Sequence, residues 1–307
     1  MSNLAQRVLV ALVAIPLIVL VGMLGGWPFY GLMMLVAVLG LREFYLLMST
    51  KGAYPQPVTG HVLGVIVVTT FFWNRFRLFL ELAAEPFGFG HVALSDEQVF
   101  LACLLTGVPV VLLVELYRHR GSAVLNAATT LFGVMYVSLF LGSLVGLREL
   151  FTVERVRTNA VLSTLSPDDV NWLGGITVVT VFVSLWVCDT FAYFAGRFFG
   201  KHKLFERVSP NKTWEGAIAG YVGGVAVFLF SQNFLLGYMT VGSAFVCGSI
   251  IGVFGQVGDL AESLLKRDAG VKDSSALIPG HGGVLDRFDS LMFVSPLLFL
   301  YVKYVAL

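Results

Sequence analysis

Asp259, Glu262, Ser263 and Lys266 stand at i, i+3, i+4 and i+7 within residues 255–267, where an apolar segment turns polar. Helical spacing puts all four on one face and leaves Leu260, Leu264 and Arg267 on another. An unpaired carboxylate near a membrane helix is costly, so one account has Asp259 and Lys266 neutralising each other through an intervening group. The other account is a metal or phosphate site, because hard divalent cations take oxygen ligands from clustered carboxylates and keep several waters.

Two further stretches carry related chemistry. Residues 272–290 place Gly280, Gly282 and Gly283 around His281, giving a backbone able to approach a ligand closely and aim N–H groups at it. Asp286 and Asp289 follow at i and i+3, at the start of an apolar segment. A tight turn followed by acids that complement a helix dipole would explain those two alone. It does not explain why Lys272, Asp273, Arg287 and the glycines crowd into the same stretch of an otherwise apolar protein. Residues 196–216 hold five basic side chains, Arg197, Lys201, Lys203, Arg207 and Lys212. Flanking charge or contact with anionic lipid accounts equally well for Arg197, Lys201 and Lys203. Ser209-Pro210 predicts a helix entry with the proline in its first turn, which puts Lys212 and Thr213 at a helix N-terminus suited to phosphate. The pattern Gly-x-x-x-x-Gly-Lys does not occur, so this is not a P-loop.

The elements that must position these residues are set by composition. Of 307 residues, 57% are hydrophobic and only 13% charged, and the mean hydropathy is +0.84. A soluble globule and a disordered chain are both excluded. Twenty basic and nineteen acidic residues leave a net charge of +1, so no overall basic field argues for nucleic acid. Cys103, Cys188 and Cys247 are single thiols in apolar runs and support neither a disulfide framework nor a zinc site.

Windows long enough to cross about 30 Å of hydrocarbon predict an all-α polytopic membrane protein with about nine transmembrane helices. They fall near 8–24, 29–48, 62–80, 99–117, 123–147, 172–194, 217–236, 241–257 and 288–305, the first read as a retained helix rather than a signal peptide. With the N-terminus inside, 14 of the 20 basic residues collect on the cytoplasmic side, and the loops around 197–214 and 266–287 face the same compartment. One integral unit is expected, with residues 1–150 as N-terminal scaffold helices and 151–307 as the catalytic region. The polar residues concentrate in the second part.

The run S-L-L-K-R from Ser263, followed by K-D-S-S-A-L-I-P-G-H-G-G-V-L-D-R-F-D from Lys272 to Asp289, resembles the signature of the phosphatidate cytidylyltransferases, or CDP-diacylglycerol synthases. The blocks G-R-F-F-G-K-H-K-L, S-P-N-K-T-W-E-G and G-Q-V-G-D-L-A-E-S agree with it, so the similarity covers residues 186–289. The resemblance implies that CTP and phosphatidate are converted to CDP-diacylglycerol and pyrophosphate at the cytoplasmic face, in bacteria at the inner membrane. It implies Mg2+, with room for a second cation, and it alone suggests a homodimer. Asp259 and Asp286 look like the family's metal-binding aspartates, with Lys266 balancing their charge. Asp289 and Asp273 would support the cation or touch the nucleotide. Lys212, Arg287, His281 and the Gly282 and Gly283 amides would hold phosphates, while Ser209, Thr213, Glu215 and Ser263 orient the cluster. Asp189 would line the same cavity or be a buried, paired carboxylate.

The chemistry requires no strong base, because a phosphate monoester is mostly ionised at neutral pH. Two other classes compete: a transporter, which predicts polar groups at mid-membrane in both halves, and a relative acting on another lipid, such as a polyprenol kinase.

Overall fold

Backbone N–H and C=O groups in hydrocarbon can be satisfied only within their own segment, so each apolar run must be helical. The computed structural model describes residues 3–85, 94–151, 165–278, 280 and 282–307, and among these every one of the nine runs is helical. The helices are α1 (Asn3–Leu24), α2 (Gly26–Ser49), α3 (Pro57–Thr70), α4 (Trp73–Ala84) and α5 (Asp96–Leu116). They continue as α6 (Ala123–Glu149), α7 (Pro167–Phe199), α8 (Trp214–Phe234), α9 (Val241–Asp268) and α10 (Leu285–Ala306). Seven are long and apolar enough to cross a membrane, and an eighth if α3 and α4 count as one span. The run expected at 62–80 is not straight: α3 and α4 meet at a 97° bend. Arg75, Arg77 and Glu81 make α4 amphipathic, which hydropathy averaged over the window conceals. The first run contributes a shorter apolar helix, Val10–Leu24.

The chain divides into two compact units, Gly26–Gly146 and the pair of segments Met1–Gly25 and Leu147–Leu307. In the first, Leu63, Val67, Cys103, Val111, Ala127 and Val134 form a core. Beside it the buried Glu115 accepts from Gln56 Nε2 at 2.7 Å, Asn126 Nδ2 at 2.6 Å and Arg118 Nη1 at 3.2 Å. A carboxylate with three donors is neutralised where it stands.

In the second unit Arg148, 1% exposed, donates to Gly22 O at 3.0 Å, Met23 O at 3.1 Å and Asn171 Oδ1 at 2.6 Å. It neutralises the negative end of α1 and ties that end to the first turns of α7. Arg148→Ala should therefore lower stability by about 3 kcal/mol, since several buried acceptors lose their donor. A fall in the thermal unfolding midpoint in detergent measures it, and an unchanged midpoint would contradict the clamp.

α7 and α8 pack through glycine. A Cβ at Gly216 would lie 2.6 Å from Ala192 O, and one at Gly220 would lie 2.9 Å from Cys188 O, so the two backbones meet where side chains cannot fit. Between these helices runs a two-stranded antiparallel hairpin, β1 (Lys203–Phe205) and β2 (Ser209–Thr213). Ser209-Pro210 thus opens a strand and not the expected helix, because the fixed φ of proline suits an edge strand as well as a first helical turn. The helix starts at Trp214, with Thr213 as its cap accepting from Gly216 N at 3.2 Å. α9 contains a wide, π-type turn at Ile251–Gly255, immediately before its polar end.

Candidate active site

The polar end of α9 presents one face inward: Glu262, Ser263 and Lys266 are buried and Asp259 is half-buried, whereas Leu264 and Arg267 are exposed. Gln256 steadies its start by donating to Ala217 O at 3.0 Å. Asp259 and Lys266 do not neutralise each other. Asp259 Oδ2 pairs with Lys212 Nζ at 2.7 Å, brought by β2, while its Oδ1 accepts from Ser263 Oγ at 3.3 Å. Lys266 pairs with Glu262 one turn back and donates to Asp286 Oδ1 at 2.5 Å.

Asp286, in the first turn of α10, is the anchor of the glycine-rich loop. Its Oδ2 accepts from Ser274 N and Ser274 Oγ, both at 2.9 Å, and from Gly283 N at 2.7 Å. The loop closes on itself through Ile278 N donating to Gly282 O at 2.8 Å. Gly282 has φ +84°, and a Cβ there would meet Asp286 Oδ2 at 2.8 Å, so only glycine fits this turn. α9 and α10 touch at Gly258, whose Cβ would lie 2.7 Å from Asp289 O. That approach, with α7 alongside, brings Asp189, Asp259 and Asp289 within electrostatic reach of one another, with Lys212 and Arg287 also acting on Asp189.

The structure therefore gathers Lys212, Asp259, Ser263, Lys266, Asp286, Gly283 and Asp289 into one cluster, with Asp189 and Arg287 at its electrostatic margin. Asp273 is exposed, with its Cβ 3.6 Å from where a Cβ on Gly282 would stand. Ser209 opens β2 and Thr213 caps α8, so both shape the approach of Lys212. Glu215 binds His202, whose Nδ1 lies 2.6 Å from Glu215 Oε1, and so holds the hairpin to α8. His281 lies outside the described residues. Ser274, which gives Asp286 two donors, was not among the residues that spacing singled out, and nothing distinguishes it from Ser275 in sequence. The Glu262–Lys266 pair was legible, since glutamate four residues before lysine is the favoured helical order.

Five carboxyl groups, Asp189, Asp259, Glu262, Asp286 and Asp289, face three cationic side chains, Lys212, Lys266 and Arg287. Among the described residues no three His, Cys, Asp or Glu side chains stand close enough to hold a metal ion by themselves. Mg2+ does not need three: it is commonly held by one or two carboxylates, with waters and substrate phosphates completing the shell. Hard carboxylate oxygen is the right donor for it, and the cluster holds more carboxyl groups than cationic side chains.

An all-α polytopic membrane protein in which α7, α9, α10 and the hairpin bring Asp189, Lys212, Asp259, Lys266, Asp286 and Asp289 together has the layout of a membrane-embedded enzyme for charged reactants. The chain belongs to the cytidylyltransferase family, whose profile matches residues 5–305. It is 33% identical over 306 residues to a phosphatidate cytidylyltransferase of Synechocystis sp., covering 97% of this chain and 96% of that protein. It is 31% identical to the chloroplastic phosphatidate cytidylyltransferase 5 of Arabidopsis thaliana, over 91% of this chain and 67% of that one. A phosphatidate cytidylyltransferase of Staphylococcus epidermidis is 48% identical over 121 residues, which are 39% of this chain and 46% of that protein.

Proposed function

We propose that this protein transfers the cytidylyl group of CTP to phosphatidate, giving CDP-diacylglycerol and pyrophosphate. A phosphate oxygen of the lipid attacks the α-phosphorus of CTP, the bond to the β-phosphate oxygen breaks, and pyrophosphate leaves with that electron pair. The observation that carries the reading is the gathering of five carboxyl groups and three cationic side chains in one cluster, where Lys212 and Lys266 already meet Asp259 and Asp286. Two anionic reactants need charge neutralised and oxygens aligned more than they need a base.

Asp259 and Asp286 would hold Mg2+, Asp259 through a carboxylate that is 39% exposed at the side chain and Asp286 by sharing the oxygen that now accepts Lys266. Bound there, the ion would neutralise charge developing between the α-phosphate and the pyrophosphate. Asp189 and Asp289 are further oxygen donors that a second cation could use. Lys212 and Arg287 would hold reactant phosphates, Lys212 exchanging Asp259 for phosphate oxygen. Ser263 fixes Asp259, and Ser274 and Gly283 fix Asp286. Asp289 would support the cation from beside Asp259, Asp273 would touch the nucleotide, and His281 would help hold its phosphates. The orientation expected from the basic residues would put this cluster at the cytoplasmic face of the cell membrane, in a bacterium the inner membrane. The homodimer rests on family resemblance.

Lys212→Ala should raise KM for CTP or phosphatidate about ten-fold or more, the loss expected for one charge-assisted contact. Unchanged steady-state constants would remove Lys212 from the phosphate site. The function itself is tested by incubating the purified protein with labelled CTP, Mg2+ and a lipid panel. CDP-lipid and pyrophosphate in equal amounts are expected. A phosphorylated lipid with spent nucleotide, or no turnover, would contradict the proposal.

A further inference from the structure

The end of α7 and the outer face of the hairpin have no part in the chemistry above. α7 has 33 residues, about 50 Å at the helical rise, against about 30 Å of hydrocarbon, so its ends stand beyond the apolar core. The last turns carry Tyr193, Phe194, Phe198 and Phe199, all exposed, the last two at 70%. Phe194 and Phe198 stack with centroids 6.2 Å apart. Phe205 on β1 and Trp214 at the start of α8 are exposed as well. Arg197, Lys201, Lys203 and Arg207 are interleaved with these rings and exposed, and Glu206 is the one acid between residues 197 and 212.

Hydrogen bonds tie this surface together. Lys203 Nζ donates to Pro210 O at 2.6 Å, Trp214 N donates to His202 O at 2.9 Å, and His202 is held by Glu215. Its inner end is Lys212, on Asp259. Aromatic rings settle at the boundary of a bilayer, and basic side chains beside them attract anionic headgroups. We propose that the hairpin and the end of α7 form a docking surface for the anionic headgroup layer of the membrane, collecting phosphate-bearing lipid beside Lys212. The charge complementarity is one-sided: four exposed cations and one acid match a phosphate layer. Delivery of phosphatidate rests on the proposed function, but the lipid contact does not.

The test uses the full chain in vesicles of phosphatidylcholine and phosphatidylglycerol at equal mole fraction, with bromine on the upper acyl carbons of one lipid or the other. Five tryptophans are present, so the contribution of Trp214 is the difference between the natural protein and Trp214→Phe. Trp214 should be quenched at least about two-fold more when the bromine is on phosphatidylglycerol, because basic side chains enrich anionic lipid around them. Lys201→Gln with Arg207→Gln should remove the preference; Lys203 is left in place because it stitches the strands. That comparison, read on total fluorescence, needs no change at Trp214 and stands if Trp214→Phe fails to fold. Equal quenching from both lipids would overturn the proposal. So would no lipid quenching at all, the result if water or a second copy of the chain covered the hairpin. No CTP is present, so this outcome is separate from the turnover assay.

Discussion

Asp259→Asn should lower cytidylyl transfer on the order of a thousand-fold, the effect of several kcal/mol lost from metal-assisted stabilisation, while the helices remain assembled. The substitution keeps the shape of the side chain and its acceptor for Ser263, so packing at Gly258 is undisturbed. What it removes is one negative charge from Lys212 and from any bound cation. Turnover of labelled CTP by the purified variant, beside an unfolding curve matching the natural protein, checks it. Full activity would take Asp259 out of the reaction.

Lys266→Ala should be the most destabilising single change in the cluster. Glu262 is fully buried and Asp286 nearly so, and Lys266 is the ammonium they share. Removing it takes the cationic partner from Glu262 and leaves Asp286 with only the donors on its other oxygen, and breaking a buried pair from one side costs about 3–5 kcal/mol. Activity should vanish with it, because Asp286 loses the side-chain contact that fixes its Oδ1 against α9. Combining Lys266→Met with Glu262→Gln separates the two effects: the unfolding midpoint should recover while activity does not. A Lys266→Ala protein as stable as the natural one would show that the triad is not held together by charge.

Helix positions and the polar face of α9 were legible because both follow from periodicity along one segment. Pairing across segments was not. Lys212 and Asp259 are 47 residues apart, and nothing along either stretch says that they meet; Ser209-Pro210, which opens the strand carrying Lys212 inward, has the sequence pattern of a helix entry. The Gln56 bond to Glu115 and the carbonyls that hold Arg148 were silent for the same reason, since they lie far away along the chain. The bend between α3 and α4 was lost to averaging, because Arg75 and Arg77 sit among enough apolar residues to pass as part of a span.

The most direct measurement is Mn2+ binding to the purified protein without nucleotide, followed by loss of the free-ion electron paramagnetic resonance signal. Saturable binding to the natural protein is expected, and it should be lost in Asp259→Asn and weakened in Asp286→Asn. Identical binding curves for all three proteins would mean that these aspartates hold no cation.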